Sequence, residues 1–260
     1  MQFIKRSSCP ILLEQNQTQW TASWIAHYRW QADIKTGTKQ PKKPSDNHWL
    51  HNDIRLLLIQ DFHNNCGYCG DVLPTPLGRD ASKGDVDHFL PKAIYPEQVY
   101  QWENYIWSCK PCNQVKKEFH SIDFPLLHPC NKEDCSKLVF IESTGQYALE
   151  ERANKDHFWQ KRLQYSEQKT MLNCVEIRQK RQLKVSTLRK NFESISTNIK
   201  NIDLLSSINV VVIDNLQKKI TQDSASILEI KNSPEFYFLL QASYQTLCQQ
   251  YPHVKALLEN

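Results

Sequence analysis

Cys66-Gly67-Tyr68-Cys69 and, further on, Cys109-Lys110-Pro111-Cys112 frame the stretch that decides this chain. Each C-x-x-C pair offers two thiolates about one turn apart, and two such pairs complete a tetrahedron around Zn²⁺. A redox reading of one pair needs a thioredoxin-like βαβ context, which the flanking sequence does not supply. Four thiolates leave no open coordination position. The ion predicted at Cys66, Cys69, Cys109 and Cys112 is therefore a structural zinc that holds a fold and does no chemistry.

A second constellation lies between and just after these knuckles: Gly84-Asp85-Val86-Asp87-His88-Phe89-Leu90-Pro91-Lys92, then Trp102-Glu103-Asn104-Tyr105, then Asn113-Gln114-Val115-Lys116-Lys117. The alternation predicts a short strand over residues 86–89, stopped by Pro91. Asp87 is a hard oxygen ligand for Mg²⁺ or a similar ion, and a neutral His88 can take a proton from water near neutral pH. Phosphodiester cleavage needs both an activated water and a cation on the charge that builds at phosphate and leaving oxygen. Asp85 shares the Asp87 face by strand alternation, which leaves a water-mediated role open. Taken singly, His88 is a structural histidine, the lysines a solvated face and the knuckles a binding ribbon. It is the coincidence of Asn104, Asn113 and the lysines inside one zinc frame that favours the catalytic reading.

Together these residues resemble the HNH (ββα-metal) endonuclease motif with a four-cysteine zinc frame. The resemblance implies an α+β fold, mainly helical, around a small zinc-stabilised ββα-metal core. It implies that Asp87 and Asn113 hold a catalytic Mg²⁺ or Mn²⁺, that His88 is the general base, and that Asn104 braces the loop and orients the histidine. Asn113 stands at the final motif position in place of histidine, a variant the family also uses; its neutral oxygen is a weaker ligand, so a single, loosely held ion is expected. Lys92, Lys116 and Lys117 become candidate phosphate contacts. DNA is the favoured substrate, with an RNA such as a tRNA kept as an alternative, because the motif handles a phosphate and leaves the sugar undecided. A non-catalytic zinc-dependent adaptor that binds nucleic acid is the reading from another class.

More widely, the layout is similar to the nuclease subunits of Septu-type (PtuAB) antiphage systems and of some retron-associated operons. It rests on Ile4-Lys5 and Pro10 at the start, a helical lead-in, Phe124-Pro125-Leu126 after the motif, and a helical C-terminal half. This implies an ABC/SMC-like ATPase partner. The chain has no P-loop of its own, so nucleotide dependence would come from that partner.

Composition agrees with these readings without requiring them. A net charge of +4 over 260 residues permits a polyanionic partner. Nine cysteines, four of them in knuckles, fit reduced thiols better than a disulfide framework. Met1-Gln2-Phe3-Ile4-Lys5-Arg6 lacks the apolar run of a secretory signal, and the most apolar stretch, residues 208–213, is far too short to span a bilayer. A cytoplasmic protein with no membrane association is expected.

Four segments follow. Residues 1–65 read as a helical lead-in with Trp20, Trp24, Ile25 and Tyr28 on one helical face, a linker over 35–44, and a helix through Trp49, Leu50, Ile54, Leu57 and Leu58 capped by Ser45-Asp46-Asn47. Residues 66–119 hold the motif, with a Pro- and Gly-containing loop over 73–84. Residues 120–150 connect, through a β-hairpin turning at Ser143-Thr144-Gly145. His128, Cys130 and Cys135 lack the matching second pair of another zinc site. Residues 151–260 form a basic helical region. There Leu188, Phe192, Ile195, Ile199 and Ile202 make a narrow seam for a helical hairpin or a partner helix, and a last helix starts at Ser233-Pro234 and stops at Pro252.

Overall fold

Two knuckles whose four sulfurs converge require the chain between them to double back, and the turn is built as an antiparallel strand pair. In the computed structural model, which describes residues 1–30, 39–45, 48–74, 84–205 and 210–259, β1 (Gly84–His88) pairs with β2 (Tyr105–Cys109). Gly84 faces Cys109 and His88 faces Tyr105. A Cβ at Gly84 would stand 2.1 Å from the Trp107 ring, so only glycine lets that indole lie across the strand end. β2 runs straight into α3 (Lys110–Lys116), with Pro111 in the first turn, where its missing N–H costs nothing. The order is strand, strand, helix.

By packing, the chain divides into two units, Met1–Val139 with Ala148–Asn173 and Phe140–Tyr147 with Cys174–Asn260. In the first, α1 (Ile11–Tyr28) buries Leu13 and Trp24, while Ile25, read as part of the same aromatic face, is exposed. α2 (Asn52–Asp61) buries Ile54 and Leu58 and leads to the first knuckle. Its cap is His51, which accepts from the Asp53 N–H at 3.3 Å; Asp46 and Asn47 of the expected cap lie outside the described residues, as do residues 35–38 of the linker and 75–83 of the loop. The N-terminal residues tie the unit together. Arg6 Nε and the Ser7 hydroxyl both donate to Asp61 Oδ2 at 3.0 Å, and the Arg6 guanidinium lies 4.1 Å over Trp102. Further on, Arg162 in α5 (His157–Lys169) donates to both oxygens of Asp134 in α4 (Lys132–Ser136), at 2.7 and 2.6 Å, and to the carbonyls of Pro125 and Leu126. The buried pair thus carries its own set of hydrogen bonds, the condition under which buried charge is tolerated.

The expected hairpin forms from β3 (Leu138–Ile141) and β4 (Gln146–Leu149). In the second unit, α6 (Val175–Leu205) and α7 (Val210–Lys231) pack together as the seam predicts: Leu188, Phe192 and Ile195 are buried with Ile220 and Ile227, and Ile199 and Ile202 lie against them. α8 (Tyr237–Gln250) starts later than Ser233-Pro234 suggests. The Ser233 hydroxyl accepts from the Glu235 N–H, a local turn, and Phe236 takes a left-handed conformation (φ 51°) that puts its ring in the core. Pro252 ends α8 and also opens α9 (Pro252–Leu258). Among the described residues, no helix is long and apolar enough to cross a membrane.

Gly145 supplies a first test. Its φ is +68°, and a Cβ there would stand 1.9 Å from the Arg178 carbonyl oxygen. Gly145→Ala is expected to destabilise the second unit by roughly 1–3 kcal/mol, read as a lower midpoint in urea melts; an unchanged midpoint would contradict this turn.

Candidate metal centre and cleft

The four knuckle sulfurs converge. The Sγ atoms of Cys66, Cys69, Cys109 and Cys112 all lie within 4.8 Å of one another, and Cys69 and Cys109 are 3.8 Å apart. A tetrahedron of 2.3 Å Zn–S bonds has edges of about 3.8 Å, so the set has the size of a zinc site and could hold one ion. The first knuckle is shaped by short-range bonds: Cys66 N–H donates to Asp71 O, Gly70 N–H donates to Cys66 O, and Gly67 N–H reaches across to Trp107 O at 2.8 Å. The Met171 N–H donates to Cys112 Sγ at 3.3 Å, a contact that favours a thiolate there. Burial opposes ionisation of Cys66, but hydrogen bonds from Cys109, Cys112 and Cys69 carry its thiol well below the usual range. The same sharing, led by Cys109, pushes Cys69 and Cys112 up. Four thiolates this close need a divalent cation to be charged together.

The knuckle is wired to the second constellation through Tyr68. Its hydroxyl donates to Asp87 Oδ2 at 2.5 Å, and Lys116 Nζ sits 2.9 Å from Oδ2 and 3.2 Å from Oδ1 of the same carboxylate. Lys116 also donates to the His88 carbonyl at 2.7 Å. Burial raises the Asp87 pKa, and the Lys116 ammonium and the Tyr68 hydroxyl oppose that rise.

His88 is the last residue of β1. Its ring meets Trp49 and Tyr105 edge-on, with centroids 4.7 and 5.3 Å away, and Nε2 lies 2.9 Å from the Val99 carbonyl. A carbonyl only accepts, so Nε2 carries the proton and Nδ1 keeps the lone pair. Burial, then the nearby Lys92 and Lys116, push the imidazole pKa down to about 3. His88 is neutral at pH 7. The loop that follows is clamped by Asn104: Oδ1 accepts from Leu90 N–H at 2.7 Å, Nδ2 donates to the carbonyls of Leu90 and Gln98 at 3.1 and 2.9 Å, and the Asn104 carbonyl accepts from Phe89 N–H. Val99, which orients His88, lies inside this clamped loop.

His128 shares the same electrostatic bias; burial pushes its pKa down to about 4 against the pull of Asp134. Its Nδ1 accepts from Cys130 N–H at 3.0 Å, a bond that protonation breaks. Both histidines therefore bind a proton more readily in the unfolded chain, whose histidines titrate near 6.5. Their contribution to stability is complete above about pH 6.5 and is lost as pH falls toward 4 and then 3. Urea melts from pH 7.5 to 4.5 should show stability dropping with pH, with a shallower slope in His128→Gln; a flat profile would contradict the neutral assignment.

Asp87, His88, Lys92, Asn113 and Lys117 line one cleft of about 230 Å³, together with Val86, Pro91 and Glu118. The Asn113 amide donates to Asp85 Oδ2 at 3.0 Å, so Asp85 orients Asn113 and leaves Asn113 Oδ1 as the free acceptor. A carboxylate and a carboxamide oxygen at one cleft suit a hard divalent cation. The lysines divide. Lys117 is exposed on the cleft rim and Lys92 lies over Trp49 at 5.1 Å, but Lys116, expected among the phosphate contacts, has a fully buried side chain turned inward to Asp87. Its apolar stem packs inside the unit and the carboxylate supplies its counter-charge, which removes it from the surface. Tyr68, Trp49 and the Val99 carbonyl are site components that the motif does not name. Tyr68 occupies one of the two positions between the knuckle cysteines, and its reach to Asp87 depends on tertiary pairing alone.

Comparison with known proteins adds one likeness and two blanks. The chain is 36% identical over 81 residues to the Septu protein PtuB of Bacillus thuringiensis. That match covers 31% of this chain and 30% of the PtuB chain. No family model matches, and no solved structure matches. Part of the chain is therefore similar to a Septu PtuB protein.

Proposed function

We propose that the chain is a metal-dependent HNH-type endonuclease that hydrolyses nucleic-acid phosphodiester bonds, DNA foremost. In this reading it is the nuclease of a Septu-type antiviral defence complex whose partner is an ABC/SMC-like ATPase. The observation that carries the reading is the convergence of Asp87, a neutral His88 and Asn113 on one cleft behind a four-cysteine centre. The partial likeness to PtuB supports the defence setting.

In this reading Nδ1 of His88 takes a proton from water, and the Val99 carbonyl, already bonded to Nε2–H, steadies the imidazolium as it forms. Asp87 and Asn113 Oδ1 would hold Mg²⁺ or Mn²⁺, which when bound supplies charge neutralisation at the scissile phosphate and the departing 3′ oxygen. Asn104 keeps the loop, and hence Val99, in place. Lys92 and Lys117 offer positive charge to flanking phosphates.

The test is a cleavage panel. The protein, purified with the products of neighbouring genes, is incubated with plasmid and with RNA in Mg²⁺, Mn²⁺ or EDTA. Divalent-ion-dependent cutting of DNA that EDTA abolishes is the expected result. Cutting of RNA alone moves the substrate to the class whose sugar carries a 2′-OH. Binding without cutting in every metal replaces the enzyme by an adaptor.

A further inference from the structure

The cleft carboxylate already holds a cation. Lys116 Nζ is within 3.2 Å of both Asp87 oxygens, and its side chain is fully buried. An ionised carboxylate has about four acceptor positions. Tyr68 uses one and Lys116 two, so one remains for anything else. Lys116 also lies three residues after Asn113 on α3, and such pairs share a helix face. One short helix therefore delivers to the same strand both the amide oxygen that suits a divalent ion and an ammonium that already pairs with the carboxylate.

We propose that Lys116 is the resting counter-ion of the cleft: its ammonium and the divalent ion compete for Asp87, while Tyr68 holds that carboxylate in both states. The inference rests on the metal-dependent reading above and concerns how that ion is admitted. Without the lysine, the metal-free protein would bury an unpaired carboxylate, a strongly destabilising arrangement. With it, the fold stands before the ion arrives. The incoming ion meets a like charge at the shared carboxylate, so affinity is set low by the lysine and rises when the lysine leaves.

Two measurements test this, both on zinc-loaded full-length protein. In the first, free Mn²⁺ is titrated by electron paramagnetic resonance with wild type, Lys116→Met and Asp87→Asn, and thermal midpoints are read with and without Mn²⁺. Lys116→Met is expected to melt below wild type without Mn²⁺, to gain more from Mn²⁺, and to bind it about tenfold or more tightly; Asp87→Asn should bind it weakly. Equal or weaker Mn²⁺ binding by Lys116→Met overturns the proposal. The second needs no variant and so survives a Lys116→Met protein that fails to fold. Amine-reactive labelling of wild type, read by mass spectrometry, should find Lys116 protected without Mg²⁺ and labelled several-fold faster with it. Mn²⁺ binding with unchanged Lys116 labelling defeats this inference and leaves the metal reading intact. No Mn²⁺ binding at all defeats both.

Discussion

Cys109→Ser protein is expected to be insoluble, or to appear without bound zinc and without the near-ultraviolet signal of a packed first unit. The size of the effect follows from comparing two magnitudes. A structural zinc contributes on the order of 10–16 kcal/mol to folding in small zinc-tied peptides, whereas a whole domain is stable by about 5–15 kcal/mol. The strand pair and α3 are short, and Cys109 is the residue at which β2 passes into α3. Losing one thiolate opens the tetrahedron where the second knuckle meets the strand. Cys130 and Cys174, thiols outside the cluster, are the controls; their serine variants should keep both zinc and fold. Zinc content and circular dichroism of the three variants decide it, and a soluble, folded Cys109→Ser protein would defeat the structural role.

The second large effect is on rate. His88→Ala should slow phosphodiester cleavage by about 10²–10⁴, the range for loss of a positioned general base, equivalent to roughly 3–5 kcal/mol of transition-state stabilisation. The cut should fall mainly on kcat, because nothing about His88 holds the ground-state substrate. Zinc content must match wild type, since the cysteine cluster does not touch the imidazole. The ring also packs against Trp49 and Tyr105, so His88→Asn accompanies it to separate lost packing from lost basicity. Single-turnover cleavage is the measurement, and a wild-type rate in both variants would remove His88 from the mechanism.

How much of this was legible in the sequence depends on the kind of constraint. The cysteine convergence is readable because ligand spacing and tetrahedral geometry leave few alternatives. The strand expected over 86–89, which runs from Gly84 to His88, and the seam from Leu188 to Ile202 follow from periodicity. Lys116 is different: nothing local separates a lysine whose ammonium turns inward from one that faces solvent, and its burial is decided by Asp87 on a strand far away in sequence. The same holds for Asn113, whose amide goes to Asp85, and for Tyr68. The α8 start is misread at Ser233 because a good capping residue also makes a good local turn, and the burial of Phe236 settles which it is.

The central claim is that one divalent ion is held where Asp87, His88 and Asn113 meet. Anomalous scattering from crystals of zinc-loaded protein soaked in Mn²⁺ tests it most directly. The account predicts a zinc peak inside the four sulfurs and a separate manganese peak in the cleft, bonded to Asp87 and to Asn113 Oδ1, with Lys116 Nζ moved off the carboxylate. Manganese bound elsewhere, with the Asp87–Lys116 pair intact and the cleft empty, would contradict it.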